Sequence, residues 1–298
     1  MVRYFGVNNF NTPIVFIIYN RPASTSIVFN RIAQRRPSKY FIVADGPRDN
    51  NDGIKCHQAR NIATNVNWDC DVHYLFSDIN LGCRKRVSTG LNSVFEIVEE
   101  AIILEDDTVP DFSFFEYSDV LLTRYRTENV IKMIGGSNPL VKDRRNEVSY
   151  KYSKYALIWG WATWKRAWLE YDVNMEDWPL FRDSNSFDSL HQPAERMFWV
   201  YYFNKVYNGY DTWAYQWMHS IWANKGKTVL PTNNLITNIG FGSDATHTTI
   251  TSESELLSVP SEPMQFPLKA PLEKHIDIRR DREIYNKIFG GRINKYSL

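Results

Sequence analysis

The sequence predicts an α/β protein built on a mixed, mainly parallel sheet flanked by helices, and three observations predict it. Apolar, β-branched runs recur through the first half, at Ile14 to Tyr19, Tyr40 to Ala44, Val72 to Phe76, Ala101 to Leu104 and Val130 to Ile134. Their starts lie about 30 residues apart, the length of a strand-helix-strand unit. Between them lie helix-like stretches, and several runs end in polar groups, as parallel strands do when they gather ligand-binding side chains along one sheet edge.

The elements follow in order. The first run stops at Asn20-Arg21-Pro22, where proline's fixed φ suits the first turn of a helix. The second ends on Asp45 before Gly46-Pro47, and the third on Ser77-Asp78 ahead of the loop Asn80-Leu81-Gly82-Cys83-Arg84-Lys85-Arg86. Ser88 to Glu100 is amphipathic. The fourth run, Ala101 to Leu104, stops on three carboxylates, Glu105, Asp106 and Asp107. Asp111 to Tyr125 is expected as a helix turning Phe112, Phe115, Val120 and Leu121 inward.

After about Gly136 the rhythm changes. Trp159 to Trp222 holds nine of the ten tryptophans, so this half presents a different surface. Thr251 to Pro271 is rich in Ser, Glu and Pro and is expected as a loop or extended arm, followed by a basic helix-like tail from about Ile276.

Composition narrows the function. With 35 basic against 34 acidic residues there is no overall field to hold nucleic acid. The cysteines Cys56, Cys70 and Cys83 are odd in number and lack CxxC spacing, so neither a disulfide framework nor a structural zinc site is expected. No run reaches the roughly 18 apolar residues of a membrane span, and Asn8, Asn9 and Asn11 stand where a signal peptide needs apolar residues. A cytoplasmic protein is the expectation.

The carboxylate triplet carries the chemistry. Acids piled at the end of a buried strand repel one another unless a cation or ligand neutralises them, which outlines a metal and nucleotide-sugar site; an acidic turn in water is the bland alternative. The chain lacks GxGxxG after its first strand, which argues against hydride-transfer dinucleotide folds. Arg21 instead offers planar donors to a phosphate or base. Asp45 can accept from a uracil imide N–H or simply serve its turn. Arg84, Lys85 and Arg86 open a helix where an anion would also meet the helix dipole, or form a solvated basic turn. Asp107, last of the triplet, is best placed to leave the sheet and ligate Mn²⁺ or Mg²⁺, while Glu105 and Asp106 can bond ribose and sugar hydroxyls.

Six blocks in order resemble GT-A type nucleotide-sugar glycosyltransferases, similar to N-acetylglucosaminyltransferase I and to bacterial sugar transferases of surface-polysaccharide clusters. They are Ile18-Tyr19-Asn20-Arg21-Pro22, Ala44-Asp45-Gly46-Pro47-Arg48, Asn80-Leu81-Gly82-Cys83, Ile103-Leu104-Glu105-Asp106-Asp107, Trp159-Gly160-Trp161-Ala162-Thr163-Trp164 and Asp244-Ala245-Thr246-His247-Thr248. The resemblance implies a GT-A (Rossmann-like) domain over residues 1–250, with a nucleotide-binding half at about 12–136 and an acceptor-facing half at about 137–250, and residues 251–298 as a C-terminal arm and helix. It implies that Asp107 binds the metal, that Glu105 and Asp106 touch donor sugar and ribose, and that Asn20, Arg21 and Asp45 hold the nucleotide of a UDP-sugar. His247, in a glycine-bearing stretch, would present its imidazole to metal or phosphate; a solvated loop histidine is the alternative.

An inverting transfer to a glycan acceptor needs a general base. The resembling families place a carboxylate in a block such as Thr-Trp-Asp-Tyr-Gln-Trp, whereas this chain reads Thr212-Trp213-Ala214-Tyr215-Gln216-Trp217. Ala214 therefore marks the position of a lost base, natural or introduced, with Asp211 as the fallback and Gln216 able only to orient an acceptor. Trp161 and Trp213 are candidates to stack on sugar rings, although the helical spacing of Trp161, Trp164 and Trp168 also suits a core. The basic tail reads either as a contact with the inner face of a membrane carrying a lipid-linked acceptor or as packing on the domain. Two rival readings are a sugar nucleotidyltransferase, which normally brings a glycine-rich basic loop after its first strand, and a glycan-binding protein that has lost its chemistry.

Overall fold

The structure, a computed structural model, describes residues 10–140, 148–240 and 259–290. The first half folds as β1 (Ile14–Ile18), α1 (Pro22–Arg35), β2 (Lys39–Ala44), α2 (Asn50–Ala63), β3 (Asp71–Phe76), α3 (Gly82–Ile97), β4 (Glu100–Glu105), β5 (Thr108–Pro110), α4 (Ser113–Tyr125) and β6 (Ile131–Gly135), so the five expected runs are β1, β2, β3, β4 and β6. The second half adds β7 (Tyr150–Ser153), β8 (Trp161–Trp164), α5 (Lys165–Trp168), α6 (Trp178–Arg182), α7 (Asn185–Leu190), α8 (Pro193–Tyr207), α9 (Ala214–Ala223), β9 (Lys227–Pro231) and β10 (Ile236–Asn238). A C-terminal helix, Ile278–Ile284, runs into a π-helical turn, Tyr285–Phe289.

Eight strands form one sheet in the order β3-β2-β1-β4-β8-β6-β9-β7. The pairs β1·β2, β2·β3, β1·β4 and β6·β9 are parallel, and the rest antiparallel. This is the mixed, mainly parallel sheet flanked by helices that the GT-A class calls for. Successive residues of β1 and β4 face opposite sides: Val15, Ile17, Ala101 and Ile103 enter one core, and Ile14, Phe16, Ile102 and Leu104 the other. Burial on both faces explains why these strands read as continuous apolar runs.

Three helix expectations shift. α3 starts at Gly82, so the basic loop is its first turn. α2 was not foreseen; Asp49 caps it by accepting from the amide of Asp52. On α4 Phe115 and Leu121 are buried as expected, but Phe112 is exposed, and Phe114, Tyr117 and Leu122 complete the inner face.

The arm from 259 to 271 has no helix or strand and runs along the domain edge, pinned by Glu262 N donating to Asn234 O and Met264 N to Ser113 Oγ. Beyond it, Ile284 and Phe289 are buried in the core, whereas Ile278 is exposed. Packing on the domain accounts for Ile284 and Phe289 but not for Ile278. No helix among the described residues is long and apolar enough to cross a membrane.

Candidate active site

The chain runs outward from β1 through β2 to β3, then returns to place β4 on the other side of β1. The carboxyl ends of β1 and β4 therefore part at a topological switch point, the place where open α/β sheets bind ligands. There Ile17 pairs with Glu105, so the residues after β1 face the triplet. A cavity of about 370 Å³ opens at this point.

Arg21 joins the two strand ends. Its Nη1 donates to Asp107 Oδ2 at 2.8 Å and to Asp106 Oδ1 at 3.3 Å, and Asp106 also accepts from the amide of Tyr19 at 3.2 Å. Burial and mutual repulsion push the carboxyls of Glu105 and Asp106 well above the ordinary range, and burial raises that of Asp107. Arg21 opposes the shift in all three. Glu105 Oε1 is buried without a hydrogen-bond partner. Among the described residues, one guanidinium against three carboxyls, with an orphaned oxygen, leaves a deficit of positive charge that a cation suits. Among the described residues, however, no three histidine, cysteine or acidic side chains converge to cage a metal. Any ion here would draw on few ligands from the described residues.

The other wall comes from the second half. Ala214, the first residue of α9, and Trp159 line the cavity. Gly240 closes the acid side: β10 pairs with β5 antiparallel and Ile239 N donates to Asp107 O, which brings the chain so near that a Cβ on Gly240 would fall 2.2 Å from Asp107 Oδ2. A side chain at position 240 would force the Asp107 carboxylate to shift. His247 lies outside the described residues.

Several expected binders have other partners. Asp45 is not open to a base: its carboxylate accepts from the amides of Gly46, Leu81 and Gly82 and from Asn80 Nδ2, and so clamps the loop after β3 to the end of β2. Arg84 turns away from the cavity and donates to the carbonyl of Val173 and to Asn174 Oδ1. Arg86 takes its place at the cavity wall, and its Nε is buried without a partner. Burial lowers its pKa, partly offset by Asp45. Asp211 is exposed and lines the cavity, with its oxygens already accepting from Cys83 N at 3.0 Å and Arg84 N at 2.7 Å. The anion expected at the start of α3 is thus the protein's own carboxylate. Gln216 is fully buried and donates to Thr212 O at 2.5 Å, so it cannot orient an acceptor.

Trp161 is corrected as a sugar platform. It is 0% exposed and stacks on Trp213 with centroids 5.5 Å apart. Trp213 is 2% exposed and only borders the cavity, where Trp159 offers the more accessible ring.

Asn20, between β1 and α1, is not among the residues that line the cavity and donates to Asp52 Oδ1 at 2.7 Å. Asp52, which the sequence did not single out, also accepts from Tyr19 OH and Arg48. Hydrogen bonds from Arg48, Asn20 and Tyr19 outweigh burial and hold Asp52 far below the usual carboxylate range. The available signal was Asp49, a helix cap three residues earlier.

No family model matches the chain, and no curated protein matches its sequence. Solved structures with a distant likeness include HddC from Yersinia pseudotuberculosis, at 10% identity and TM-score 0.31, covering 56% of this chain and 80% of that one. A 4-diphosphocytidyl-2C-methyl-D-erythritol synthase from Anaerococcus prevotii is 9% identical with TM-score 0.34, covering 83% and 96%. Mouse xyloside xylosyltransferase 1 is 9% identical with TM-score 0.33, covering 70% and 81%. Scores this low carry no activity over to the chain.

Proposed function

We propose that the protein is a glycosyltransferase that takes a sugar from a nucleotide diphosphate donor, a UDP-sugar, and passes it to a glycan acceptor with inversion. The observation that carries this reading is the cavity at the β1/β4 switch point, with Glu105, Asp106 and Asp107 on one wall and position 214 on another. Arg21 and Arg86 are the cations that would draw in the diphosphate. Glu105 and Asp106 would bond hydroxyls of donor sugar and ribose. Asp107 would hold Mn²⁺ or Mg²⁺, which when bound stabilises negative charge on a departing diphosphate.

Ala214 faces the cavity where a carboxylate would take the acceptor proton, and alanine takes none. That observation favours a second reading, a protein that binds nucleotide sugar and glycan without turning them over. A nucleotidyltransferase fits less well, because α1 starts at Pro22, directly after β1, and leaves no room for a glycine-rich basic loop.

Thermal melts with UDP, UDP-sugars, other nucleoside diphosphates and cytidine triphosphate, each with and without Mn²⁺, test the proposal. A donor at one hundred times its dissociation constant stabilises by about 2.7 kcal/mol. UDP-sugars should raise the melting temperature most, and more so with Mn²⁺. A rise with the triphosphate alone would replace the reading with nucleotidyl transfer.

A further inference from the structure

A second cavity, about 170 Å³, adjoins the first. The two share Ile158, Trp159 and Ala214, so position 214 stands at their junction. In a single displacement the acceptor hydroxyl must reach the anomeric carbon from the side opposite the diphosphate, past the position of the base. With the diphosphate drawn to the acids and arginines of the first cavity, the second is where the acceptor's body would lie.

Its walls specify what kind of body. Leu157, Trp199, Met218, Ile236, Ile288 and Phe289 are apolar. Of the polar residues beside them, Asn138 donates to Thr232 O, and Asn234 accepts from Asn138 N and donates to Ile236 O and Val259 O. Among the described residues the cavity therefore offers a ligand mainly apolar contact, together with the Ser137 hydroxyl and the indole N–H of Trp199, which is buried without a hydrogen-bond partner. The volume is close to the roughly 150 Å³ of an apolar cavity that accepts benzene, so one ring-sized group fills it.

We propose that this cavity is an acceptor subsite for a ring-sized apolar group, so that the acceptor is a glycoside carrying one, either as its aglycone or as the methyl-bearing face of a deoxy sugar. This rests on the glycosyltransferase reading and adds the class of acceptor to it.

Two pairs of probes test it, followed by quenching of tryptophan fluorescence in the presence of UDP and Mn²⁺, since Trp159 and Trp199 line the cavity. The first pair is phenyl against methyl glucoside, and the second is methyl 6-deoxyglucoside against methyl glucoside. At least tenfold tighter binding of the phenyl glucoside identifies an aglycone as the occupant; the same margin for the deoxy sugar identifies the ring face. Ile288 is partly exposed, which permits substitution without emptying the core. Ile288→Asp, which polarises the wall, and Ile288→Trp, which fills the space, should each abolish the preference while UDP still raises the melting temperature as in the wild type. Equal affinities within both pairs, with UDP binding intact, overturn this inference alone. Failure of UDP and UDP-sugars to bind overturns the donor reading beneath it.

Discussion

Nη1 of Arg21 sits 2.8 Å from Oδ2 of Asp107, although 86 residues separate them. The guanidinium from the end of β1 thereby supplies the counter-charge that the triplet at the end of β4 requires. Both side chains are about one-sixth exposed, so the pair is screened less than one on the surface. Arg21 and a divalent ion would then compete for the same carboxylate.

Arg21→Met should expose that competition. Removing one partner of a buried pair costs about 3 kcal/mol. Millimolar Mn²⁺ should restore the lost melting temperature in the variant and shift the wild type less. An equal response of both proteins to Mn²⁺ would show that Arg21 does not guard the acids.

Ala214→Asp places a carboxylate at the junction of the two cavities. General bases contribute about 10²- to 10⁴-fold, and the variant should gain transfer on that scale over the wild type, measured as UDP release dependent on acceptor. Unchanged turnover in a variant that still binds donor would favour a binding protein.

Asp211 caps α3 from a distant segment, and Leu81 at the N-cap position makes no side-chain cap of its own. Asp211→Ala should lower stability by about 1 kcal/mol, the worth of a helix cap, and Asp211→Asn by less. Gly82 lies beneath it with φ +78°, and a Cβ there would stand 2.8 Å from Asp211 Oδ2. Gly82→Ala should therefore destabilise more than either. Urea denaturation midpoints check the ranking; a silent Gly82→Ala would sink it.

Glu195 supplies a pH signature away from the cavity. Burial raises its pKa, but His191, the Lys154 ammonium 2.7 Å away and the Tyr155 hydroxyl outweigh that and bring it to about 2. A depressed carboxyl stabilises the fold above its unfolded pKa of about 4.3, and that share is lost as pH falls through the folded value. Unfolding free energies of the wild type and Glu195→Gln, measured by urea denaturation, should differ by on the order of 2 kcal/mol at pH 6 and converge towards pH 2. Parallel curves over that window would refute the ion-pair account.

The sequence by itself determined five of the six strands of the first half and the acids at the tip of β4, because apolar period and strand-end chemistry are local properties. Only the tertiary structure decided which polar side chains remain available to a ligand. Asp45 and Asp211 both line the cavity but are bonded there, Asp45 by Asn80, Leu81 and Gly82 and Asp211 by the amides of Cys83 and Arg84; Arg84 is held by Val173, whereas Arg86 lines the cavity with its Nε unpartnered. Trp161 and Trp159 stand two residues apart in a motif that cannot rank them, yet one is core and the other lines the cavity. A side chain's composition states what it can bond to. Which bond it makes depends on neighbours that may be more than a hundred residues distant, and those are fixed only when the sheet closes and both of its faces are buried.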